Sequence, residues 1–253
     1  MANPVTLVTG ASSGLGELFA RACAKRGDRV VLVARRKNRL DALARKIGGA
    51  AIVIAEDLSD YDAPEAVVAA VEANGCYVAT LINNAGFGFR GPFREQAPGD
   101  LADMIQVNTA TPTDLIARTV PAMIAHGGGA ILNVASTAAF QAGPNMAVYY
   151  ATKAYLLSLS EALHEELGPH NIKVTALCPG ATHTEFAETA GMKDSYLFKN
   201  FAGGPEAVVE AGLKGLERNK AIVIPGAVNK MMVQSGRFAP RSVIRELVMR
   251  LQR

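Results

Sequence analysis

Seven short runs rich in β-branched and aliphatic residues punctuate this chain, at positions 5–9, 29–34, 51–55, 78–82, 130–135, 173–178 and 221–224. Helical patterns fill most of the intervals, at 15–26, 38–47, 64–73, 100–126 and 147–168. A short apolar run without alternation reads as a strand buried on both faces, and strands separated by helices pair in parallel, because a parallel neighbour is reached only by a crossover. The pattern predicts an α/β fold: one doubly wound parallel sheet of about seven strands, with helices on both faces and right-handed connections. With 253 residues, 49% of them apolar and 19% charged, the chain has the material for one large core, and disorder of the whole is excluded. No stretch rich in Pro, Gly or Ser divides it and no repeat of solenoid length is present, so residues 1–253 are expected to form a single domain.

Two regions depart from the alternation. Residues 184–204 end in Gly203-Gly204-Pro205 and precede a late helix, which is where a loop or small-helix insertion serves as a substrate lid. Residues 225–253 hold six basic side chains and one acidic one; that net +5, set against a total of +3, leaves the rest of the chain at −2. The total is too small and diffuse to imply nucleic-acid binding. Within this basic extension Val243, Ile244, Leu247, Val248 and Leu251 fall on one helical stripe. Such a stripe packs on the protein's own body or on a sister subunit, or else lies on a membrane surface. Cys23, Cys76 and Cys178 show no metal spacing and are expected to be buried, reduced thiols. The opening residues lack a basic segment, apolar stretch and cleavage site, and no apolar run reaches the ~18–20 residues that span a bilayer, so the expected location is the cytoplasm.

Tyr149 and Lys153 lie four apart in the 147–168 helix and share a face. A free tyrosine titrates near pH ~10, too high for proton transfer at neutral pH, and a neighbouring cation favours the phenolate. The pair reads as an acid/base device. At the start of the chain, Thr9-Gly10-Ala11-Ser12-Ser13-Gly14-Leu15-Gly16 stands between the first strand and the first helix. Glycines there let the backbone turn tightly and approach a pyrophosphate, while the helix N-terminus supplies N–H donors. The spacing Gly10-x-x-x-Gly14-x-Gly16 departs from G-x-G-x-x-G. The second strand ends in Leu32-Val33-Ala34-Arg35-Arg36, without the acid that would hold a ribose 2′-hydroxyl. Two arginines there suit a 2′-phosphate, unless they are solvated surface charges. Asp57, with Leu58 beside it just past the third strand, is placed to meet the edge of an adenine, though an acid there could equally cap the next helix.

These residues together resemble the short-chain dehydrogenase/reductase family, whose Rossmann-type fold agrees with the sheet expected above. The resemblance covers residues 4–224 and rests on Thr9-Gly10-x-x-x-Gly14-x-Gly16, Asn83-Asn84-Ala85-Gly86, Asn108, Ser136, Tyr149-x-x-x-Lys153 and Pro179-Gly180, in the family's order. It implies Tyr149 as general acid in carbonyl reduction and base in alcohol oxidation. It implies Ser136 as a hydrogen-bond donor to the substrate oxygen, Lys153 as the group that holds the nicotinamide ribose and depresses the tyrosine, and Asn108 as the holder of a water leading from Lys153 to solvent. Asn84, Ala85 and Gly86 would line the adenosine-ribose side, and Pro179, Gly180, Thr184 and more weakly Thr182 the nicotinamide. On their own, Ser136 could cap a turn and Asn108 could be a buried amide in a kinked helix. The segments Tyr149–Ala154 and Leu157–Leu163, with Ile224-Pro225-Gly226 in the tail, are similar to the bacterial branch labelled DltE-like.

The function expected is that of an NADP-dependent oxidoreductase acting on a hydrophobic ketone, aldehyde or secondary alcohol, with no metal. The apolar and aromatic residues Phe87, Phe89, Phe140, Met146, Phe186 and Phe198 would wall its pocket. A catalytically silent dinucleotide-binding regulator and a membrane-surface protein acting through its basic C-terminal helix are the alternatives. The long helices at 100–126 and 147–168 are expected to pair copies into a homodimer or homotetramer, as in similar family members.

Overall fold

The computed structural model describes residues 2–48, 51–191, 203–236 and 238–251. In chain order the elements are β1 (Asn3–Thr9), α1 (Gly14–Lys25), β2 (Val30–Ala34), α2 (Lys37–Ile47), β3 (Ile52–Ala55), α3 (Ala63–Ala73), β4 (Cys76–Asn83), α4 (Pro98–Ile105) and α5 (Thr111–Ala125). There follow β5 (Gly129–Val134), α6 (Ala147–Leu167), β6 (Ile172–Leu177), α7 (Glu185–Thr189), α8 (Pro205–Glu217), β7 (Ile222–Val223), α9 (Ala227–Gly236) and α10 (Arg241–Leu251). The seven strands form one parallel sheet in the order β3-β2-β1-β4-β5-β6-β7.

Alternation of side chains along each strand builds a core on either face of that sheet. Leu7, Val31 and Ile131 point to one side, into a cluster with Val67, Val71, Leu115 and Ile116 of α3 and α5. Their neighbours Val8, Leu32 and Leu132 point to the other, into a cluster with Phe19, Leu40 and Leu213 of α1, α2 and α8. Both faces are covered, which is why the strands read as continuous apolar runs. Strand order reverses between β1 and β4, so their carboxyl ends splay the following loops apart and open a crevice.

The helix expected at 100–126 is interrupted. A π-helical turn, Gln106–Ala110, separates α4 from α5. Its physical cause is Pro112, which has no N–H to offer the Asn108 carbonyl four residues back and stands in the first turn of α5. The buried side chain of Asn108 is tied to neighbouring elements instead: Nδ2 donates to Phe87 O at 2.9 Å and Thr152 Oγ1 at 3.1 Å, and Oδ1 accepts from the Phe87 amide at 3.1 Å.

The C-terminal extension folds back as α9 and α10, with Val233 and Val248 buried. Asn229 of α9 sits so close to Gly180 that a methyl group at position 180 would lie 2.5 Å from its Oδ1. Among the described residues no helix is long and apolar enough to cross a membrane, and all three cysteines are buried free thiols.

Candidate active site

The turn after β1 is shaped by two residues with left-handed backbone, Gly10 (φ 66°) and Gly14 (φ 55°). A methyl group on Gly10 would stand 2.8 Å from Asn84 Nδ2 and 3.0 Å from Ala85 Cα, so glycine is what lets the turn lie against the β4 loop. Thr9 closes the same junction, its Oγ1 accepting from the Asn84 and Ala85 amides at 3.0 and 2.9 Å. At the start of α1 the Ser13 side chain does not cap the helix, and Glu17 makes the first helical bond, back to Ser13 O. The amides of Gly14, Leu15 and Gly16 therefore have no acceptor within the helix, which is the donor set an anion needs.

Ser12 and Ser13 serve Arg36 instead. Arg36 Nε and Nη2 donate to Ser12 Oγ at 3.1 and 3.0 Å, and Nη2 to Ser13 Oγ at 2.8 Å. Arg35 turns to Asp57, 3.6 Å away, with its side chain 73% exposed. Asp57 does not cap α3: its Oδ1 accepts from Ser59 N and Ser59 Oγ at 3.1 and 2.8 Å. Burial pushes its carboxyl up, but the Ser59 hydrogen bonds and Arg35 outweigh that and hold it below the usual range.

Three sheet positions away, about 14 Å at the usual strand spacing, β5 leads into Ser136. Its Oγ accepts from the Ala138 amide at 3.1 Å, capping the 3-10 turn Thr137–Phe140 as one reading of the sequence allowed, and it also faces a cavity. Tyr149 is buried in α6, and its ring lies 5.4 Å from that of Phe186 on α7. Burial pushes its hydroxyl well above the usual phenol value, while a hydrogen bond with Ser136 works the other way. Lys153 is also buried, its Nζ donating to Val134 O at 2.8 Å and standing 5.8 Å from the Tyr149 ring centroid. Burial pushes its ammonium down to about 8. The lysine therefore grips the β5 backbone, and burial raises the Tyr149 phenol where the spacing suggested that Lys153 would lower it.

One cavity of about 710 Å³ joins these groups. Ser12, Ser13, Gly14, Leu15 and Gly10 line it, as do Arg35, Arg36, Asp57 and Leu58. So do Asn84, Ala85 and Gly86, then Ser136, Tyr149 and Lys153, and finally Pro179, Gly180, Thr182 and Thr184. Gly16 and Asn108 do not face it. A methyl group on Gly16 would meet Gly10 O at 2.2 Å, so that glycine packs the turn from behind, and Asn108 stands behind Lys153 and Gly86. Of the expected aromatic wall, Phe87, Met146 and Phe186 line the cavity, Phe89 packs against the Met146–Tyr149 cluster of the same site without lining it, Phe140 packs beside Ala135 and Leu157, and Phe198 lies outside the described residues.

The family model for short chain dehydrogenases matches residues 4–194. The chain belongs to the short-chain dehydrogenase family. Its fold is similar to that of a short-chain dehydrogenase from Sphingobium yanoikuyae in complex with NADPH, 35% identical with a TM-score of 0.83 over 93% of each chain. A bulky-bulky ketone specific alcohol dehydrogenase from Comamonas testosteroni is 32% identical with a TM-score of 0.77, over 94% of this chain and 92% of that one. A 3-ketoacyl-(acyl-carrier-protein) reductase from Brucella melitensis complexed with NADH is 32% identical with a TM-score of 0.78, over 89% and 97%. This short-chain dehydrogenase is thus an oxidoreductase of a family that uses nicotinamide cofactors.

Two contributors to the cavity were missed in the sequence. Met232, Val243, Ile244, Leu247 and Val248 of α9 and α10 form an apolar wall; the stripe was visible, but not what it faces. Glu185, the first residue of α7, reaches Arg36 and Arg39, and no local pattern announces a contact across that separation.

Proposed function

We propose that this short-chain dehydrogenase transfers a hydride between NADP and a hydrophobic ketone, aldehyde or secondary alcohol, with Tyr149 as general acid and base. The observation that carries the reading is a single cavity that joins Arg36, Ser12 and Ser13 at one end to Ser136, Tyr149 and Lys153 at the other. The unserved amides of the α1 N-terminus fit a pyrophosphate, and a guanidinium flanked by two hydroxyls fits a 2′-phosphate. The bound nicotinamide supplies or accepts the hydride.

The chain's own residues manage position and protons. Ser136 donates a hydrogen bond to the carbonyl oxygen and stabilises the charge that develops on it. Tyr149, held protonated by burial, gives its proton to that oxygen in reduction. Lys153, which donates to the Val134 carbonyl, would hold a ribose hydroxyl of the cofactor and keep its ammonium near the phenolate that remains. Thr184, Pro179 and Gly180, which line the cavity, would flank the nicotinamide, and Asn108 backs Lys153. The α9–α10 wall, with Met146 and Phe186, favours an apolar substrate of some bulk, and the similarity to the bulky-ketone enzyme agrees with that. Exposed Ile105, Ile124 and Tyr155 on α4, α5 and α6 support the pairing of copies.

Mixing the protein with NADPH and a panel of ketones of increasing apolar bulk tests the reading through the loss of reduced-nicotinamide absorbance. Turnover that rises with bulk is expected. Tight NADPH binding with no turnover of any member would identify a silent dinucleotide-binding regulator instead.

A further inference from the structure

Glu185 touches the nucleotide end of the cavity from an unexpected direction. It opens α7, the first helix after β6, yet its carboxylate bridges two arginines from the β2–α2 junction. Oε2 accepts from Arg36 Nη1 at 3.0 Å and Oε1 from Arg39 Nη1 at 2.6 Å. The rest of the Arg36 guanidinium is on Ser12 and Ser13. Two guanidinium groups closing on one anion, with hydroxyls beside them, is the arrangement a phosphate monoester would be offered. Here the anion is the protein's own. The hydrogen bond from Arg39, and then that from Arg36, hold the Glu185 carboxyl below the usual range despite partial burial, so the bridge is ionised at neutral pH.

The next residue points to the chemistry. Phe186 lies against the Tyr149 ring, 5.4 Å between centroids with the planes tilted by 42°. Consecutive residues of one short helix thus touch the arginines at one end of the cavity and the phenol at the other. The segment is pinned at its base, where His183 N donates to Gly203 O at 3.2 Å and Gly203 N to Ala181 O at 2.9 Å. A change at Glu185 therefore has a mechanical path to Phe186.

Resting on the NADP reading above, we propose that Glu185 is the residue that sets cofactor discrimination: it occupies Arg36 and Arg39 in the free chain, is displaced by a 2′-phosphate, and by that exchange couples the cofactor's identity to the position of α7. Two consequences follow from elementary electrostatics and linkage. A dianionic phosphate beside Arg36 repels the carboxylate, so the unmodified chain binds a 2′-phosphate less tightly than its arginines alone would allow. Displacement also frees α7 from the β2–α2 junction, and what the phosphate does to α7, the position of α7 does to phosphate affinity in return.

Calorimetric titration of the full chain with 2′,5′-ADP, and with 5′-AMP as the probe lacking only the 2′-phosphate, tests this without any turnover. In Glu185→Gln, 2′,5′-ADP should bind about three- to fivefold more tightly than in the unmodified chain, the scale of a half-exposed charge contact, while 5′-AMP stays within twofold. Hydrogen exchange over 185–189 should quicken when 2′,5′-ADP, but not 5′-AMP, binds the unmodified chain, and the difference should vanish in the variant. Weaker or unchanged binding of 2′,5′-ADP by Glu185→Gln overturns the proposal, since Glu185 would then orient Arg36 or do nothing. The NADP reading fails separately, when the two probes bind alike in both proteins. Equal binding in the unmodified chain with a preference for 2′,5′-ADP appearing in Glu185→Gln would support the role given to Glu185.

Discussion

Tyr149 and Lys153 at one end of the cavity, and Arg36, Arg39 and Glu185 at the other, are all ionisable, yet their surroundings treat charge in opposite ways. The phenol and the ammonium are buried, and burial disfavours the charged form of each: the phenol moves up and the lysine down, to about 8. The arginine–carboxylate group is half-exposed, its side chains 42–45% accessible, and the pairing favours the charged form of the Glu185 carboxyl. The buried end is therefore poised to exchange protons and the exposed end to exchange anions. One end is suited to chemistry and the other to recognition, and each should fail in its own manner.

The largest effect is expected at the buried end. Tyr149→Phe removes the transferable proton and keeps the ring that packs on Phe186, so turnover should fall by ~10²–10⁴-fold, the usual scale for loss of a general acid. Dinucleotide affinity should stay within about threefold. Tyr150→Phe is the control, since its ring centroid lies 6.1 Å away on the same helix. Steady-state rates of the two variants decide the matter: activity retained by Tyr149→Phe and lost by Tyr150→Phe would reverse the assignment.

At the exposed end Arg36→Ala should weaken NADPH binding by about tenfold or more, since a hydrogen bond to a charged group contributes ~1.5–3 kcal/mol, and leave NADH within twofold. Arg35→Ala should cost less, because Arg35 is 73% exposed and leans toward Asp57. Fluorescence titration with both cofactors separates them. Equal dissociation constants for NADPH and NADH in the unmodified protein would remove the basis of the comparison.

What the sequence could reveal divides along similar lines. The strands were legible because burial on both faces writes each one as a local apolar run, such as Val30–Ala34, all of it buried. That Tyr149, Lys153 and the turn opening at Gly10 belong together was legible because they stand at fixed local spacings, and one cavity joins them. The interruption of the 100–126 helix hid behind a continuous helical period; Pro112 was the available signal, and it acquires meaning only with Asn108 packed against Phe87 and Thr152. The bridge from Glu185 to Arg39 joins residues 146 positions apart, which no periodicity encodes. The surroundings of the phenol stayed hidden for a related reason. Spacing says that Lys153 shares a face with Tyr149, but not that its ammonium chooses the Val134 carbonyl and that both groups lose water together.

The smallest effect tests the cost of that burial. Lys153 has its ammonium lowered from 10.5 to about 8. Between those values the unfolded chain holds a proton that the folded chain has shed, so stability rises with pH across the window. Below about 8 both states are protonated and the folded chain carries the whole burial cost. Lys153→Met keeps an unbranched side chain without the charge. The cofactor-free variant should therefore be more stable than the parent at pH 7, by ~1 kcal/mol. That is less than the ~3 kcal/mol equivalent of the shift, because the hydrogen bond to Val134 O is lost as well. The advantage should shrink as pH rises from 8 toward 10.5, while NADPH affinity and turnover are both lower in the variant at every pH. Urea midpoints at pH 7 and pH 9.5 read the first effect and cofactor titration the second. A variant less stable than the parent at pH 7 would show that the ammonium–carbonyl bond outweighs desolvation, and that the buried end stabilises its charge after all.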